Sequence, residues 1–268
     1  MNLDKSQYRA QIETARPPAM SEKVKSQRND RFPSTRVSAI VASSSADPNE
    51  RARGFEVLVE AYWMPLYKYI RIKWSKPAED ARDLTQGFFT EAIEKNFFAR
   101  YDPERARFRT FIRACVDGFI ANQDKAAHRI KRGGGVMTVA IDFEEAEAQL
   151  HGRSFVAPND IEDFFEKEWT RSVFGLALDS LRHRLTEAGK TTYYEIFQSI
   201  VLAEDEGSGK PSYRELAEKL SISVSDVTNS LALARREFRS CVLAKLRELT
   251  ASEEEYQREA RALLGVTL

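Results

Sequence analysis

The sequence predicts an all-α protein built from two helical domains. Apolar residues recur at intervals of three and four along most of the chain, which is the repeat of an amphipathic helix, whereas strand-type alternation is weak throughout. At 268 residues, two domains are favoured over one. An acidic stretch that follows three consecutive glycines separates the two helical parts, so we place the domain boundary there.

The composition is that of a globular protein, with 42% hydrophobic and 31% charged residues. No apolar run approaches the roughly 20 residues that span a bilayer, and the chain does not open on a signal-peptide pattern. We therefore expect a cytoplasmic protein without a membrane partner. Cys115 and Cys241 lie far apart and the three histidines show no ligand spacing, so we expect no disulfide, metal or other cofactor.

The net charge is zero, but the charges are segregated along the chain. Residues 100–132 contain nine basic and four acidic residues, whereas residues 141–168 contain nine acidic and two basic ones. This pattern is typical either of a basic binding surface beside an acidic connector or of ordinary solvated helix faces.

The amino-terminal half contains three predicted helices. Asp47-Pro48 is a helix start, with Asp47 as the cap and proline in the first turn, and Pro65 predicts a kink or break in that helix. A second helix begins at Pro77 with acids in its first turn. A third carries an apolar stripe from Phe108 to Phe119 and continues to a basic end near residue 132.

Five segments follow from these patterns. We expect a flexible tail at 1–30, a helical domain at 31–132, an acidic linker at 133–160, a second helical domain at 161–250 and a terminal helix at 251–268. The terminal helix is expected to contact a partner or to cap the last core.

The sharpest local motif is a predicted helix-turn-helix at 212–239. Ser212 and Glu215 have the spacing of a capping box, and Ser223 with Asp226 repeats it three residues into the next helix. The turn between them is Ser221-Ile222-Ser223. Two short helices joined by such a turn form the core of many DNA-binding domains.

The second helix of this motif would present polar residues to a groove of DNA. Val227, Leu231, Ala234 and Phe238 line its buried side. The opposite side is predicted to contact DNA through Ser225, Thr228, Asn229, Arg235, Arg236 and Arg239, with the arginines placed for phosphates.

Two blocks in this chain resemble the sigma-70 family of transcription initiation factors, in particular its small extracytoplasmic-function type. The first is A-E-D-A-R-D-L-T-Q-G-F-F at 78–89 with F-R-T-F-I at 108–112, which is similar to the family's second region. The second is the motif at 213–238, which is similar to the fourth region. Residues 31–36 also resemble the lead-in of one subgroup.

The resemblance implies a sigma factor that directs core RNA polymerase to promoter DNA. Its partners would be the clamp and flap regions of core polymerase, promoter DNA and, where one exists, an anti-sigma factor. The helix docking on the polymerase clamp would contribute Asp80, Asp83, Leu84, Gln86 and Phe88.

The resemblance also implies DNA contacts at two promoter elements. The residues implied for the −10 element are Arg105, Arg107, Arg109, Arg113, Asn122, Asp124 and Arg129. Aromatic groups beside positive charge suit the capture of unstacked bases, although Phe108 and Phe111 are also expected in the core. The −35 element would be read by the helix-turn-helix residues named above.

Two departures from the family pattern affect the second block. Thr228-Asn229-Ser230 stands where the family commonly has Lys-Ser-Arg, which predicts weaker phosphate anchoring. Ser221 stands where the family usually has glycine, which predicts strain if the turn needs a positive φ. The acidic residues 142–147 of the linker suggest a mimic of nucleic-acid charge, or a simple tether.

Three alternatives remain open. The chain could be a helix-turn-helix regulator that does not bind polymerase, or a sigma-like interaction module with weakened DNA reading. An enzyme is disfavoured, because no nucleophile, metal spacing or phosphate-binding loop accompanies the acid pairs. Adjacent acids such as Glu144 and Glu145 also diverge by about 100° on a helix.

Overall fold

A computed structural model of the protein describes residues 38–126, 141–150, 160–202 and 211–265. All regular structure in these ranges is helical, without a strand, as the sequence predicts. The ten α-helices are α1 (Ala39–Ala42), α2 (Pro48–Lys73), α3 (Ala78–Glu94), α4 (Phe108–Ala126), α5 (Phe143–Leu150), α6 (Ile161–Glu187), α7 (Thr191–Phe197), α8 (Tyr213–Leu220), α9 (Val224–Glu248) and α10 (Glu253–Leu264). A 3-10 turn, Phe97–Arg100, follows α3, and a π-helical turn, Gln198–Leu202, follows α7.

The chain forms two compact units that differ from the predicted segments. The N-unit comprises Arg36–Val173 and Leu246–Glu259, and the C-unit contains Phe174–Lys245 together with the residues from Ala260 onward. The division therefore falls within α6, α9 and α10 and not in the predicted linker. Residues Phe165 and Trp169 of α6 are buried in the N-unit, which explains why the first half of this helix belongs to it.

Helix α2 starts where the sequence predicts but does not break at Pro65. Asp47 caps it by accepting the Asn49 N–H at 2.9 Å. The helix continues through Pro65 to Lys73, with buried side chains on both sides of the proline. Burial of this stretch therefore outweighs the lost hydrogen bond. At Gly54 of α2, a Cβ atom would lie 2.5 Å from the Ser43 backbone nitrogen, so only glycine permits α1 to pack this closely.

Aromatic side chains form the centre of the N-unit core. The ring of Phe108 lies 5.5 Å from Tyr62, 5.4 Å from Phe98 and 5.1 Å from Tyr101, all in edge-to-face geometry. Phe108 is thus a core residue, as expected, whereas Phe111 is only half-buried. This cluster fixes the start of α4, where the predicted arginines for the −10 element lie.

Part of the predicted acidic linker is a helix packed on α2. The ring of Phe143 lies 5.0 Å from Tyr67 and 5.6 Å from Trp63. Glu147 accepts a hydrogen bond from the Tyr67 hydroxyl at 2.6 Å and pairs with Arg71 at 2.6 Å. The Glu147 carboxylate is therefore bound within the N-unit. Only the exposed acids of this segment, Asp142, Glu144 and Glu145, remain available to mimic nucleic-acid charge.

The C-unit core is built around Phe238 of α9. Its ring lies 6.1 Å from Phe174 and 5.5 Å from Phe197. Phe174 comes from α6 and Phe197 from α7, both within the helical domain predicted at 161–250. The predicted tail 1–30, the lead-in 31–36, the glycines 133–135 and the loop 204–209 lie outside the described residues.

Candidate nucleic-acid and partner interfaces

Helices α8 and α9 form the predicted two-helix motif with both predicted caps in place. The Glu215 N–H donates to the Ser212 hydroxyl at 3.2 Å, and the Ser212 N–H donates to the Glu215 carboxylate at 2.7 Å. Ser223 and Asp226 repeat this reciprocal arrangement at 3.0 and 3.1 Å. Hydrogen bonds from Ser212 lower the pKa of Glu215, and those from Ser223 lower the pKa of Asp226.

The turn between the two helices places a non-glycine residue in the left-handed region. Ser221 has φ 54° and ψ 42° and ends α8. The following Ile222 N–H donates to the Ala217 carbonyl at 3.0 Å, which closes the end of the helix. The expected need for a positive φ at this position is therefore confirmed, and serine bears the steric cost of its Cβ there.

The outer face of α9 presents small polar groups and one fully exposed arginine. Val227, Leu231, Ala234 and Phe238 are buried, as predicted. The residues on the opposite, exposed side are Ser225, Thr228, Asn229, Ala232 and Arg236. Arg235 and Arg239 are half-buried, and the Thr228 hydroxyl donates to the Val224 carbonyl at 3.0 Å.

Of the three residues Thr228-Asn229-Ser230, only the first two lie on the outer face of α9. Ser230 is buried, so its position faces the core and does not belong to the outer face of α9. The missing positive charge that concerns a groove is thus the one at Thr228, which is exposed. Asn229 beside it presents an amide, the group that pairs with adenine in the major groove.

Helix α3 exposes the predicted acidic residues but not the predicted phenylalanine. Asp80, Asp83 and Gln86 are exposed and Leu84 is half-buried. Phe88 has no exposed surface and packs 5.3 Å from Phe89 and 5.9 Å from Phe119. A direct partner contact requires exposure, so the structure assigns Phe88 to the core, where it supports the acidic face of α3 formed by Asp80, Asp83 and Gln86.

Four of the five arginines predicted for the −10 element, Arg105, Arg107, Arg109 and Arg113, form a row, hereafter the arginine row, at the start of α4. Each is ion-paired within the N-unit: Arg105 with Asp102, Arg107 with Glu259, Arg109 with Glu166 and Glu259, and Arg113 with Glu162. Only Arg105 is largely exposed, whereas Arg109 is 4% exposed. In this conformation Arg109 cannot touch DNA, which corrects its predicted placement on an accessible surface.

Arg109 occupies the most enclosed position of the row. Its Nε atom lies 2.6 Å from a Glu166 carboxylate oxygen, and its guanidinium carbon lies 4.5 Å from the centre of the Trp169 ring. Burial alone would lower the pKa of Arg109, but hydrogen bonds and charge from Glu166 and Glu259 raise it overall. The side chain is therefore a permanent cation held by two carboxylates and an aromatic face.

Two acids of α10 complete this site, and sequence reasoning did not identify them. Glu255 Oε1 accepts the Phe108 N–H at 3.0 Å and the Tyr101 hydroxyl at 2.9 Å. Glu259 pairs with Arg109 and, at 3.5 Å, with Arg107. Both acids are buried, at 2% and 1% exposure. Their one sequence signal is that they share the inward stripe of α10 with Tyr256 and Ala260.

The other residues predicted for the −10 element are Asn122, Asp124 and Arg129. Asn122 is exposed on α4, whereas the side chain of Asp124 and all of Arg129 lie outside the described residues. Within the described ranges, no three His, Cys, Asp or Glu side chains are grouped to hold a metal ion. Burial raises the pKa of the Cys115 thiol to about 11, so it is not activated as a nucleophile. Of the helices in these ranges, none is long and apolar enough to cross a membrane.

Compared with models of known protein families, with characterised proteins and with solved structures, the chain shows no significant match to any.

Proposed function

We propose that the chain is a sigma-type transcription initiation factor that binds core RNA polymerase and directs it to promoter DNA. The resemblance of residues 78–112 and 213–238 to two sigma regions, in the family's order, is the basis of the specific assignment. The acidic face of α3 would dock on the polymerase clamp, and the outer face of α9 would meet the −35 element. The exposed Arg105 and, after release of their ion pairs, the other members of the arginine row would meet the −10 element.

The observation that carries the DNA-binding part is the geometry of α8 and α9. Both helices begin with closed reciprocal caps, which fixes the two starts relative to their turn. Four of the six residues predicted to contact DNA, Ser225, Thr228, Asn229 and Arg236, then fall on the exposed side of α9, opposite its buried stripe. A helix with this arrangement is suited to enter a major groove.

The polymerase-binding part is supported by the exposed acids of α3. Asp80 and Asp83 do not serve the packing of the N-unit, because both side chains are exposed. An exposed acidic face suits a basic partner surface, and complementary charges would steer the association.

The decisive experiment pairs core-polymerase binding with run-off transcription. We expect the purified chain to bind core enzyme and to support transcripts from promoter fragments. Asp80→Asn with Asp83→Asn should weaken core binding about five- to tenfold, because exposed ion pairs each contribute a few tenths to one kcal/mol. The control, Glu144→Gln with Glu145→Gln, removes the same charge from exposed positions of α5 and should bind normally. Failure of the folded wild-type chain to bind core enzyme would reject the proposal.

A second candidate is a sigma-like interaction module with weakened DNA reading. It is favoured by the neutralised arginine row and by the single fully exposed arginine on the outer face of α9. Core binding without transcription from any promoter fragment would identify it.

A further inference from the structure

The start of α4 gathers donors of three kinds around two carboxylates. The Phe108 N–H and the Tyr101 hydroxyl converge on one oxygen of Glu255, at 3.0 and 2.9 Å. The guanidinium groups of Arg107 and Arg109 converge on Glu259. Backbone N–H, hydroxyl and guanidinium groups are the donors that also hold phosphate oxygens.

The two carboxylates in this site come from one short helix. Glu255 and Glu259 are four residues apart, so they project from the same side of α10. They are buried, whereas Glu253 and Glu254 on the same helix are exposed. The chain thus places two negative charges, one helical turn apart, against a row of arginines.

Stability alone does not favour acids at these positions. Buried ion pairs lose much of their Coulomb energy to desolvation, and apolar residues of similar volume often replace them without cost. Glu259, at 1% exposure, is paired with both Arg107 and Arg109. A segment that competes with an anionic ligand must place its own negative groups on the ligand's cationic site, as Glu255 and Glu259 do here.

Helix α10 is a short helix that is held by buried side chains, Tyr256, Ala260, Leu263 and Leu264 among them. It has 12 residues, and helices of that length are marginal in water without packing. Besides Glu255 and Glu259, the N-unit portion of α10 buries Tyr256, whose ring centre lies 3.7 Å from the Arg247 guanidinium carbon, and Arg247 also pairs with Glu253. Arg247 and Glu253 are both about half-exposed, so this contact adds little hold.

We propose that α10 is an internal competitor for single-stranded nucleic acid, with Glu255 and Glu259 filling the phosphate sites of Tyr101, Arg107, Phe108 and Arg109. A strand of DNA binds this surface only after the two carboxylates have left it. The inference rests on the proposed function for the identity of the strand, but the site and the two carboxylates that fill it, Glu255 and Glu259, all lie in the N-unit.

The test measures binding of a fluorescein-labelled oligothymidylate, about a dozen nucleotides long, to the full-length chain. Glu255→Gln with Glu259→Gln should bind at least about tenfold more tightly than wild type, because the fraction of chain with an open site rises. The matched control is Glu253→Gln with Glu254→Gln, which removes the same charge from the exposed side of α10. The control should remain within about twofold of wild type, since exposed charges act weakly on the site. Equal affinities for the two folded double variants would overturn the proposal.

Hydrogen exchange on the wild-type chain is a second test of the proposal, and it needs no variant. Saturating oligothymidylate at low salt should reduce protection of the α10 amides while protection at the start of α4 rises. Unchanged or increased protection of α10 in the bound chain overturns the proposal, even if the glutamine variant does not fold. Absence of oligothymidylate binding by all of the chains also counts against the site.

Core-polymerase binding by the same variants separates this inference from the proposed function. A variant that binds core enzyme but gains no affinity for the oligonucleotide rejects the competitor and leaves the initiation factor standing. A gain in oligonucleotide affinity without core binding by any chain supports the competitor and rejects the initiation factor.

Discussion

Lys68 and Glu168 form a buried ion pair of 2.7 Å although they are 100 residues apart in the chain. Both side chains are almost completely removed from solvent. The pair joins α2 to the first half of α6, and it explains in part why that half belongs to the N-unit. Lys68 also donates to Gln149, so α5 is tied to the same point.

Breaking this pair on one side should destabilise the protein strongly. We expect Lys68→Met to lower the free energy of unfolding by about 3–5 kcal/mol, because it leaves the Glu168 carboxylate buried beside fewer cationic partners. The double variant with Glu168→Leu should lose less than the sum of the two single losses, since it leaves neither buried charge alone. Urea denaturation of the four chains measures this difference, and strictly additive losses would contradict it.

The left-handed Ser221 predicts a stabilising substitution. Ser221→Gly should raise the free energy of unfolding of the C-unit by about 1 kcal/mol, because glycine has no Cβ to clash at a positive φ. Ser221→Ala keeps the clash and serves as the control, so it should show no comparable gain. Thermal melts of the three chains test this, and a glycine variant no more stable than the alanine variant would count against the strained turn.

The cap at Asp226 predicts a pH-dependent contribution to stability. Hydrogen bonds from Ser223 lower the pKa of Asp226 below its ordinary value of 3.8, so the folded state favours the charged carboxylate. Its contribution is present above pH 3.8 and is lost as the pH falls through the lower folded value. Asp226→Ala should therefore melt below wild type at neutral pH, and the gap should narrow in acid. A gap that widens below pH 4 would have the wrong sign.

If α9 enters a groove of DNA, substitutions at Arg236 and at Asn229 should have different effects, the first on the affinity for DNA and the second on the preferred sequence. Arg236→Ala should weaken binding to short duplexes of any sequence and reduce the salt slope by about one, as expected for a lost phosphate contact. Asn229→Ala should instead change the base preferred at one position in rounds of duplex selection, because an amide can pair with adenine. Arg214→Ala, an exposed charge on α8, is the control. Equal effects on all sequences from both α9 variants would argue against this division.

Local sequence signals predicted the helix starts correctly because those signals act within one turn. Asp47, Ser212 and Ser223 each cap a helix through atoms two or three residues away. The exposed polar side of α9 was predictable for the same reason, since the buried stripe at spacing three and four leaves one side outward.

The paired state of the arginines could not be predicted because it depends on distant parts of the chain. Phe108 and Glu255 are separated by 147 residues, and no local pattern specifies that they meet. At Pro65 the local sequence predicts a kink or break in α2. The helix nevertheless continues, because burial of this stretch outweighs the hydrogen bond that proline cannot form. Phe88 looked like a docking residue by position, but its ring belongs to the packing of α3 on α4.

The N-unit takes its last segment, Leu246–Glu259, from near the carboxyl end of the chain. During synthesis the ribosome therefore releases the whole intervening C-unit segment, Phe174–Lys245, before the N-unit can be completed. Until then the Tyr101 hydroxyl, the Phe108 N–H and the guanidinium groups of Arg107 and Arg109 lack Glu255 and Glu259, so the nascent protein carries fewer carboxylates beside its arginine row. Ribosomal RNA is the polyanion closest to that row at the moment it emerges.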